Sequence, residues 1–438
     1  MVKIFFIMNK DENSFPAEKK QDHRTIAKEL DLYILDEKAG QGLPILLPNW
    51  VIIRNQIQEF LRKKQQGFGF QEAITPILGS EYLYKTSGHL DHYQEYMFPE
   101  ISRNNETFYL RPMTCPHHCL IYQQKPRSYR DLPFRLCENS LLFRYEASGA
   151  LKGLERPRWF ELADHHIFVA PEQLKEELKK NYHYIADILT TFNFPISRLV
   201  CALHDPNNSE KYHSDKELWK YSEDILINAL NELKLSYVIL WGEAAFYGPK
   251  LDLEITAADG KNITISTIQL DFILPQKFGL NYIDSEQNLK IPAIIHQSPI
   301  GSYQRFIALL LEKTGGKLPF WLAPCQMALL PFNEEKEIKD YCEKLAGELK
   351  ELGLRVKIFT KKKLKDRIRQ MYQKKIPYYL VIGNEEMEAI KKDKNEPEQK
   401  TELKLMSTYE KGKIEKLTPK ELFDKLKHQL QFTKYEAN

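Results

Sequence analysis

Apolar positions near the start of the chain fall at helical spacing. Ile26, Leu30 and Leu32 open such a pattern just after Asp22, and Ile52, Ile53, Ile57, Phe60 and Leu61 form a second one. Residues three and four apart share a helix face, so the second stretch predicts a long amphipathic helix with Asn49 as its N-cap. Gly67 and Gly69 end it, and residues 70–76 read as a strand stopped by Pro76. Short strands follow to about Pro275, interrupted by helical patterns over 171–192 and 214–234. Gly301 opens a further helix through Phe306, Leu309, Leu310 and Leu311, closed by Gly315-Gly316. Trp321-Leu322-Ala323-Pro324 is the best linker. Beyond it the pattern becomes strand (326–330), helix (335–352), strand (355–359), helix (364–374) and strand (378–382). That alternation indicates a small parallel or mixed α/β domain. Residues 1–22, polar and lysine-rich after the first eight, read as a weakly ordered extension, and 391–397 as a solvated loop.

Composition narrows the class. A chain of 438 residues exceeds one average core and suggests two or three domains. Its net charge of +3 implies no nucleic-acid partner by itself, so any basic surface must be local. Six cysteines, scattered except for Cys115 and Cys119, form no disulfide framework and fit a reducing cytosol. No apolar run approaches membrane-spanning length, so a soluble, cytoplasmic protein with no membrane partner is expected.

Four constellations carry candidate chemistry. In Phe143-Arg144-Tyr145-Glu146, Arg144 and Glu146 stand two apart on a strand and would share a face. The loop 147–155 would return the chain and bring Arg156, Arg158 and the ring of Phe160 beside them. Such a set can hold a phosphate chain and a flat base. Cys115-Pro116-His117-His118-Cys119 matches no standard zinc-finger spacing, and simple core residues are the plainer reading. His165 and His166 alternate to opposite strand faces, so only one of them can join a given site. His296 ends the apolar run 291–295, and a Cys-His-His site drawn from three distant segments would leave coordination positions open, as catalytic zinc does. Gly301-Ser302-Tyr303-Gln304-Arg305 puts a cation one turn into a helix, where it could meet phosphate or be only a surface arginine. Residues 242–250 form a glycine-bounded turn with polar groups, read alone as a hairpin loop.

Taken in order, these pieces and others resemble the threonyl-tRNA synthetases, a family of class II aminoacyl-tRNA synthetases. The landmarks include Leu30-Asp31-Leu32-Tyr33, Lys85-Thr86-Ser87-Gly88-His89, Arg111-Pro112-Met113-Thr114-Cys115-Pro116, Ser128-Tyr129-Arg130-Asp131-Leu132-Pro133 and Gln269-Leu270-Asp271-Phe272. The likeness runs from about residue 23 to the C-terminus. It implies an α+β catalytic domain over 23–322, an antiparallel sheet flanked by helices, after an extension over 1–22. A C-terminal α/β anticodon-binding domain would occupy 323–438. The helix from Asn49 and the strand ending at Pro76 would build a homodimer interface.

The resemblance also assigns residues. Cys115, His166 and His296 would hold one zinc ion per subunit, leaving His117, His118, Cys119 and His165 structural. Threonine's amino and hydroxyl groups would complete the coordination, with Asp164 accepting the hydroxyl hydrogen bond. Valine lacks the hydroxyl and would be rejected, whereas serine would be excluded poorly. Threonine's carboxylate would attack the α-phosphate of ATP and expel pyrophosphate, with magnesium accompanying the nucleotide. Arg144 would hold the α-phosphate and the carboxylate, Glu146 the adenine end, and Phe160 would stack on the base. Arg305 and Arg156 would meet the γ-phosphate, and Thr267 and Gln269 the nucleotide sugar. Tyr247 and Lys250 would belong to the threonine pocket. His89 would assist transfer to the terminal adenosine of threonine tRNA as a general base.

Departures from the family pattern are Trp159 in place of glycine, expected to narrow the adenine site, and Gln304 in place of glutamate. In the C-terminal domain Lys361 stands where some members use asparagine, and Glu386 is kept. Only about twenty residues precede the match, so an N-terminal editing region is expected to be absent. Two other readings are a catalytically idle tRNA-binding relative and a class II enzyme for another amino acid. Retention of Arg144, Glu146, Arg305 and the three metal positions speaks against the first, and the Cys115, His166 and His296 set against the second.

Overall fold

A computed structural model describes residues 22–208, 212, 215–388, 402–410 and 412–430. The expected extension, apart from Asp22, and the loop at 391–397 lie outside the described residues. Eight strands make the principal sheet: β1 (Gln71–Glu72), β2 (Phe134–Phe143), β3 (Trp159–Val169), β4 (Arg198–Leu203), β5 (Val238–Trp241), β6 (Lys250–Thr256), β7 (Asn262–Asp271) and β8 (Ala293–Ser298). Their spatial order is β5-β4-β6-β7-β8-β3-β2-β1. The six inner strands pair antiparallel throughout; only the edge pairs β5–β4 and β1–β2 are parallel.

Strand alternation explains why this sheet can carry a site. On β3, Ala163, Ile167 and Val169 join the main apolar core, as do Leu251 and Leu253 of β6, Ile268 and Leu270 of β7, and Ile295 of β8. Successive side chains point to opposite faces. The intervening positions, Phe160, Asp164 and His166, Lys250 and Asp252, Thr267 and Gln269, and His296, therefore share the other face. Over the apolar face lie α1 (Pro48–Phe68), the helices Leu174–Thr191 and Lys216–Glu232, and the helix Tyr303–Thr314, whose buried apolar residues apart from Trp219 belong to the same core.

The long first helix starts one residue earlier than its expected cap. Pro48 occupies its first turn and Leu47 is the N-cap. Proline suits that place because its fixed φ and missing N–H cost nothing there. Asn49 instead donates its side-chain amide to the Leu30 carbonyl at 2.9 Å. Gly69, at φ +85°, closes the helix as expected. The strand expected over 70–76 is only two residues long, continued by one further bond from the Ala73 N–H to the Cys137 carbonyl at 2.9 Å.

Trp321 and Leu322 are buried, so the linker is packed rather than free. Arg355 donates to the carbonyls of Trp321 (2.7 Å) and Ala323 (2.9 Å) and pins it to the following sheet. That five-stranded sheet is mixed: Met327–Pro331, Val356–Ile358 and Tyr378–Ile382 run parallel, and Leu403–Ser407 and Ile414–Leu417 are added antiparallel. Met327 and Leu329 face one cluster, Ala328 and Leu330 another, so the domain has cores on both sides of its sheet. All six cysteines are free and buried. No helix among the described residues is long and apolar enough to cross a membrane.

Candidate active site

A cleft of about 530 Å³ opens on the polar face of the eight-stranded sheet. It is lined by every residue the sequence reading assigned to ATP, threonine or metal. His89 alone among the assigned residues does not line it.

One wall is the turn between β2 and β3. Arg144 and Glu146 were expected on a strand, but β2 ends at Phe143 and both lie in the turn beyond it. What holds them is a set of specific bonds. The Arg144 N–H donates to the Arg158 carbonyl at 2.9 Å, Arg156 Nε donates to Glu146 Oε2 at 2.8 Å, and Arg158 Nε donates to the Glu146 carbonyl at 2.9 Å. The Arg144 guanidinium lies 5.0 Å from the centre of the Phe160 ring. Arg158, expected in the same cluster, instead covers the Tyr145 ring at 4.3 Å and reaches the Gln41 carbonyl, away from the cleft. Trp159 also points away, because it precedes Phe160 by one on β3. Its indole donates to the Pro44 carbonyl at 3.1 Å and the residue does not line the cleft, so the expected narrowing does not arise.

Opposite this wall, α2 (Tyr303–Thr314) begins at Ser302, whose hydroxyl accepts the Arg305 N–H at 3.2 Å. Gly301, at φ +63°, passes so close to the neighbouring strand that a Cβ would sit 3.0 Å from the Ile265 carbonyl. Arg305 Nε donates to the Glu155 carbonyl at 3.1 Å. Burial pulls the Arg305 guanidinium below its ordinary pKa, and the positive charges of Arg144 and Arg156 pull it further. Three guanidinium groups thus converge on one space, an arrangement that a polyanion relieves. Gln304 faces the other way: its Oε1 accepts the Glu161 N–H at 3.0 Å.

The deep end holds sulfur and imidazole. Cys115 starts the helix Cys115–Gln123, while His166 and His296 sit directly opposite each other on β3 and β8. Their ligand atoms all lie within 4.8 Å of one another, and all three residues are buried. One thiol and two imidazoles within that distance suit zinc and leave positions open. The sequence reading missed the groups behind them. His296 Nε2 lies 2.9 Å from Asp271 Oδ2, and Asp271 Oδ1 accepts the Ile273 and Leu274 N–H groups. His166 Nδ1 lies 2.9 Å from His118 Nδ1, His118 Nε2 lies 3.3 Å from Glu138, and Glu138 is paired in turn with Arg111 at 2.9 Å. Such partners fix the orientation of ligating imidazoles. Charged residues inside otherwise apolar strands were the available signal. His165 takes the opposite face as expected, between Gln65 (2.9 Å) and Gln297 (3.0 Å). Burial pushes the His166 imidazole well down and the Asp164 carboxyl up.

Between the two ends, Tyr247 donates to Gln269 and lies with its ring 5.1 Å from that of His296. Lys250 and Thr267 both bind Asp252, at 2.6 and 2.7 Å. The turn carrying Tyr247 closes on β7 through Gly248, where a Cβ would meet the Leu270 carbonyl at 2.0 Å. No larger residue fits there. His89 is fully buried beside the cleft, with Nδ1 2.7 Å from Ser87 Oγ and Nε2 3.1 Å from Met113 Sδ. Burial lowers its pKa to about 3, reinforced by Arg144, His296 and Lys277.

Known proteins share this architecture. Residues 96–314 match the tRNA synthetase class II core domain (G, H, P, S and T), and 326–429 match the anticodon binding domain. The crystal structure of the RNA binding domain of threonyl-tRNA synthetase from Cryptosporidium parvum superposes with a TM-score of 0.84 at 34% identity, over 93% of this chain and 98% of that one. The threonine–tRNA ligase of Streptococcus suis is 45% identical over 372 residues, 84% of this chain and 57% of that protein. This chain therefore spans little more than half the length of that relative. Prolyl-tRNA synthetase from Cryptosporidium parvum shares the fold, with a TM-score of 0.67 at 17% identity over 93% of this chain and 76% of that one. An antiparallel sheet with this cleft, followed by an α/β anticodon-binding domain, is the architecture of a class II tRNA synthetase. The chain belongs to the threonyl-tRNA synthetase family.

Proposed function

We propose that this chain is a threonine–tRNA ligase. It would join L-threonine to ATP as threonyl-adenylate and then transfer the amino acid to the terminal adenosine of threonine tRNA. The observation that carries the reading is one cleft with converging arginines at one end and the Cys115, His166 and His296 triad at the other. Threonine would lie between them, its side chain toward the triad and its carboxylate toward Arg144.

In the first step a carboxylate oxygen of threonine forms a bond to the α-phosphorus of ATP, and the bond to the bridging oxygen breaks as pyrophosphate leaves. Arg144 neutralises the carboxylate and the α-phosphate, which would otherwise repel each other. Phe160 supports the adenine ring, with Glu146 at its edge held by Arg156. Arg305 and Arg156 meet the outer phosphates, and magnesium would accompany the nucleotide. Thr267 and Gln269 reach the ribose, and Tyr247 and Lys250 bound the threonine pocket. Most of the acceleration is positioning and charge stabilisation.

Zinc on the triad would supply a Lewis-acidic site for the amino and hydroxyl groups of threonine. Asp164, on the same strand face as His166, accepts the hydroxyl hydrogen bond. Valine would leave these groups unsatisfied, and unpaired polar groups in a buried site are costly. In the second step the ribose hydroxyl of the tRNA end bonds to the threonyl carbonyl carbon, the acyl–phosphate bond breaks as AMP leaves, and His89 receives the hydroxyl proton once the tRNA end displaces Met113 from its Nε2. Burial keeps its imidazole neutral, and opening the site to the polar tRNA end would restore the basicity that burial removes. A homodimer through α1 and the segment after it is supported by exposed apolar residues there: Ile74 is 93% exposed and Val51 42%. Six free cysteines accord with a cytosolic setting.

The test is ATP–pyrophosphate exchange by the purified chain with each amino acid in turn. Exchange that requires threonine is expected. Exchange with proline or histidine instead would refute the specificity, and none with any amino acid would refute the enzyme.

A further inference from the structure

The turn that carries Arg156 rests on a helix the sequence reading gave no role. In His23–Glu29, Asp22 is the N-cap and His23, the first helical residue, is fully buried. His23 makes two bonds to one oxygen of Glu312: its backbone N–H donates at 3.1 Å and its Nδ1 lies at 2.7 Å. The other ring nitrogen faces the turn. At Gly153 (φ +50°) a Cβ would lie 2.7 Å from His23 Nε2, 3.0 Å from Arg24 Cγ and 3.1 Å from the Tyr33 hydroxyl. Only glycine lets the turn approach so closely.

These contacts close a ring around the outer-phosphate end of the cleft. Glu312 and Arg305 are seven residues apart on α2, which is two turns and nearly one face. Arg305 binds the Glu155 carbonyl, Leu154 is sunk in the main core, and Gly153 sits on His23, which returns to Glu312. Arg156 is bridged to Lys152 within the same turn. Displacing His23 would free the turn from α2 on one side and so alter the spacing of Arg156 from Arg305. The three side chains Asp22, His23 and Glu312 also have metal-like spacing, but a direct bond already joins His23 to Glu312, and Asp22 is taken by Arg24 at 2.6 Å.

We propose that His23 and Glu312 are positioning residues for ATP, holding the turn at Gly153 so that Arg156 and Arg305 are correctly spaced for the outer phosphates. The proposal rests on the ATP reading of the cleft and not on the choice of threonine. His23→Ala and Gly153→Ala should each raise the KM for ATP in pyrophosphate exchange about tenfold, with the KM for threonine held within about twofold. Zinc content should not change. His23→Asn, whose side-chain N–H can replace that of Nδ1 toward Glu312, should recover most of the ATP affinity. An unchanged KM for ATP in folded His23→Ala, or equal rises for both substrates, would overturn the proposal. Should His23→Ala fail to fold, Gly153→Ala decides, because it removes neither side chain of the His23–Glu312 pair and acts on the approach of the turn to it. Direct ATP titration without amino acid separates this test from the specificity claim: ATP bound by the wild-type chain and weakened in the variants supports the positioning role even where threonine exchange fails.

Discussion

In the cleft, Asp164, His166 and His296 are buried, and His166, His296, Arg144, Arg156, Lys250 and Arg305 are each tied to a neighbour. In the C-terminal domain the residues first suspected of reading RNA are arranged otherwise. Lys361, Lys362 and Lys363 stand exposed at the start of the helix Leu364–Gln373. Glu386, kept from the family pattern, has turned inward to accept the Gly383 N–H at 3.0 Å. One region fixes a few charges in place, and the other presents exposed charge to solvent. Buried, preorganised charge stabilises a particular distribution of ligand charge; exposed lysines attract any phosphate backbone within a Debye length.

If that contrast is right, the cleft should fail abruptly when one group is removed. Arg144→Ala is expected to lower kcat/KM for threonine-dependent exchange by about a thousandfold, as losing a donor aimed at developing charge does in other enzymes. Circular dichroism should show the fold intact. A loss of less than about tenfold would mean that Arg156 and Arg305 carry the charge alone.

The metal end should be nearly as sensitive and more selective. Cys115→Ser is expected to remove zinc, measured by atomic absorption, and to lower threonine activation about a hundredfold or more, while ATP titration stays within about twofold. Full activity in a zinc-free variant would break the sensor reading. Asp164→Asn should act more narrowly, reducing the preference for threonine over valine about ten- to a hundredfold while zinc remains bound. Competition between the two amino acids in the exchange assay measures it.

The two regions also differed in how much their sequence disclosed. The assigned residues that line the cleft were legible because the family resemblance carries each of them over from an ordered set of motifs. Cys115, His166 and His296 come together because β3 and β8 pair in register and a helix opens at Cys115. The supporting groups were harder to see. Asp271 and Glu138 act through a histidine contributed by another element, and no spacing within one segment reveals that. Strand ends were missed for a similar reason. Arg144 and Glu146 alternate as a strand would, but the bond between Glu146 and Arg156 bends the chain out of the ladder. Arg158 and Trp159 looked like site residues by proximity in sequence alone. Their side chains are taken by Gln41 and Pro44, residues more than a hundred positions away. In the C-terminal domain, helix and strand alternation was read well because its parallel core strands are buried on both faces and flanked by amphipathic helices. Its recognition residues were not, because an exposed lysine leaves the same trace in sequence whether or not it meets RNA.

The smallest expected effect therefore lies with those lysines, and salt is the variable that exposes it. Replacing Lys361, Lys362 and Lys363 together by alanine should leave ATP–pyrophosphate exchange unchanged, since exchange needs no tRNA. The KM for threonine tRNA should rise several-fold at low ionic strength, and the gap should close as salt is added. Each lysine that meets a phosphate should flatten the dependence of log affinity on log salt by about one unit. Glu386→Gln is the matched control from the same domain, since its amide oxygen can still accept the Gly383 N–H and its loss of charge falls on a group facing inward. It should leave the tRNA KM and its salt slope at the wild-type values. Should Glu386→Gln instead weaken one tRNA far more than others at every salt concentration, the C-terminal domain would contain a fixed, base-reading charge like those of the cleft, and the contrast between the two regions would fall.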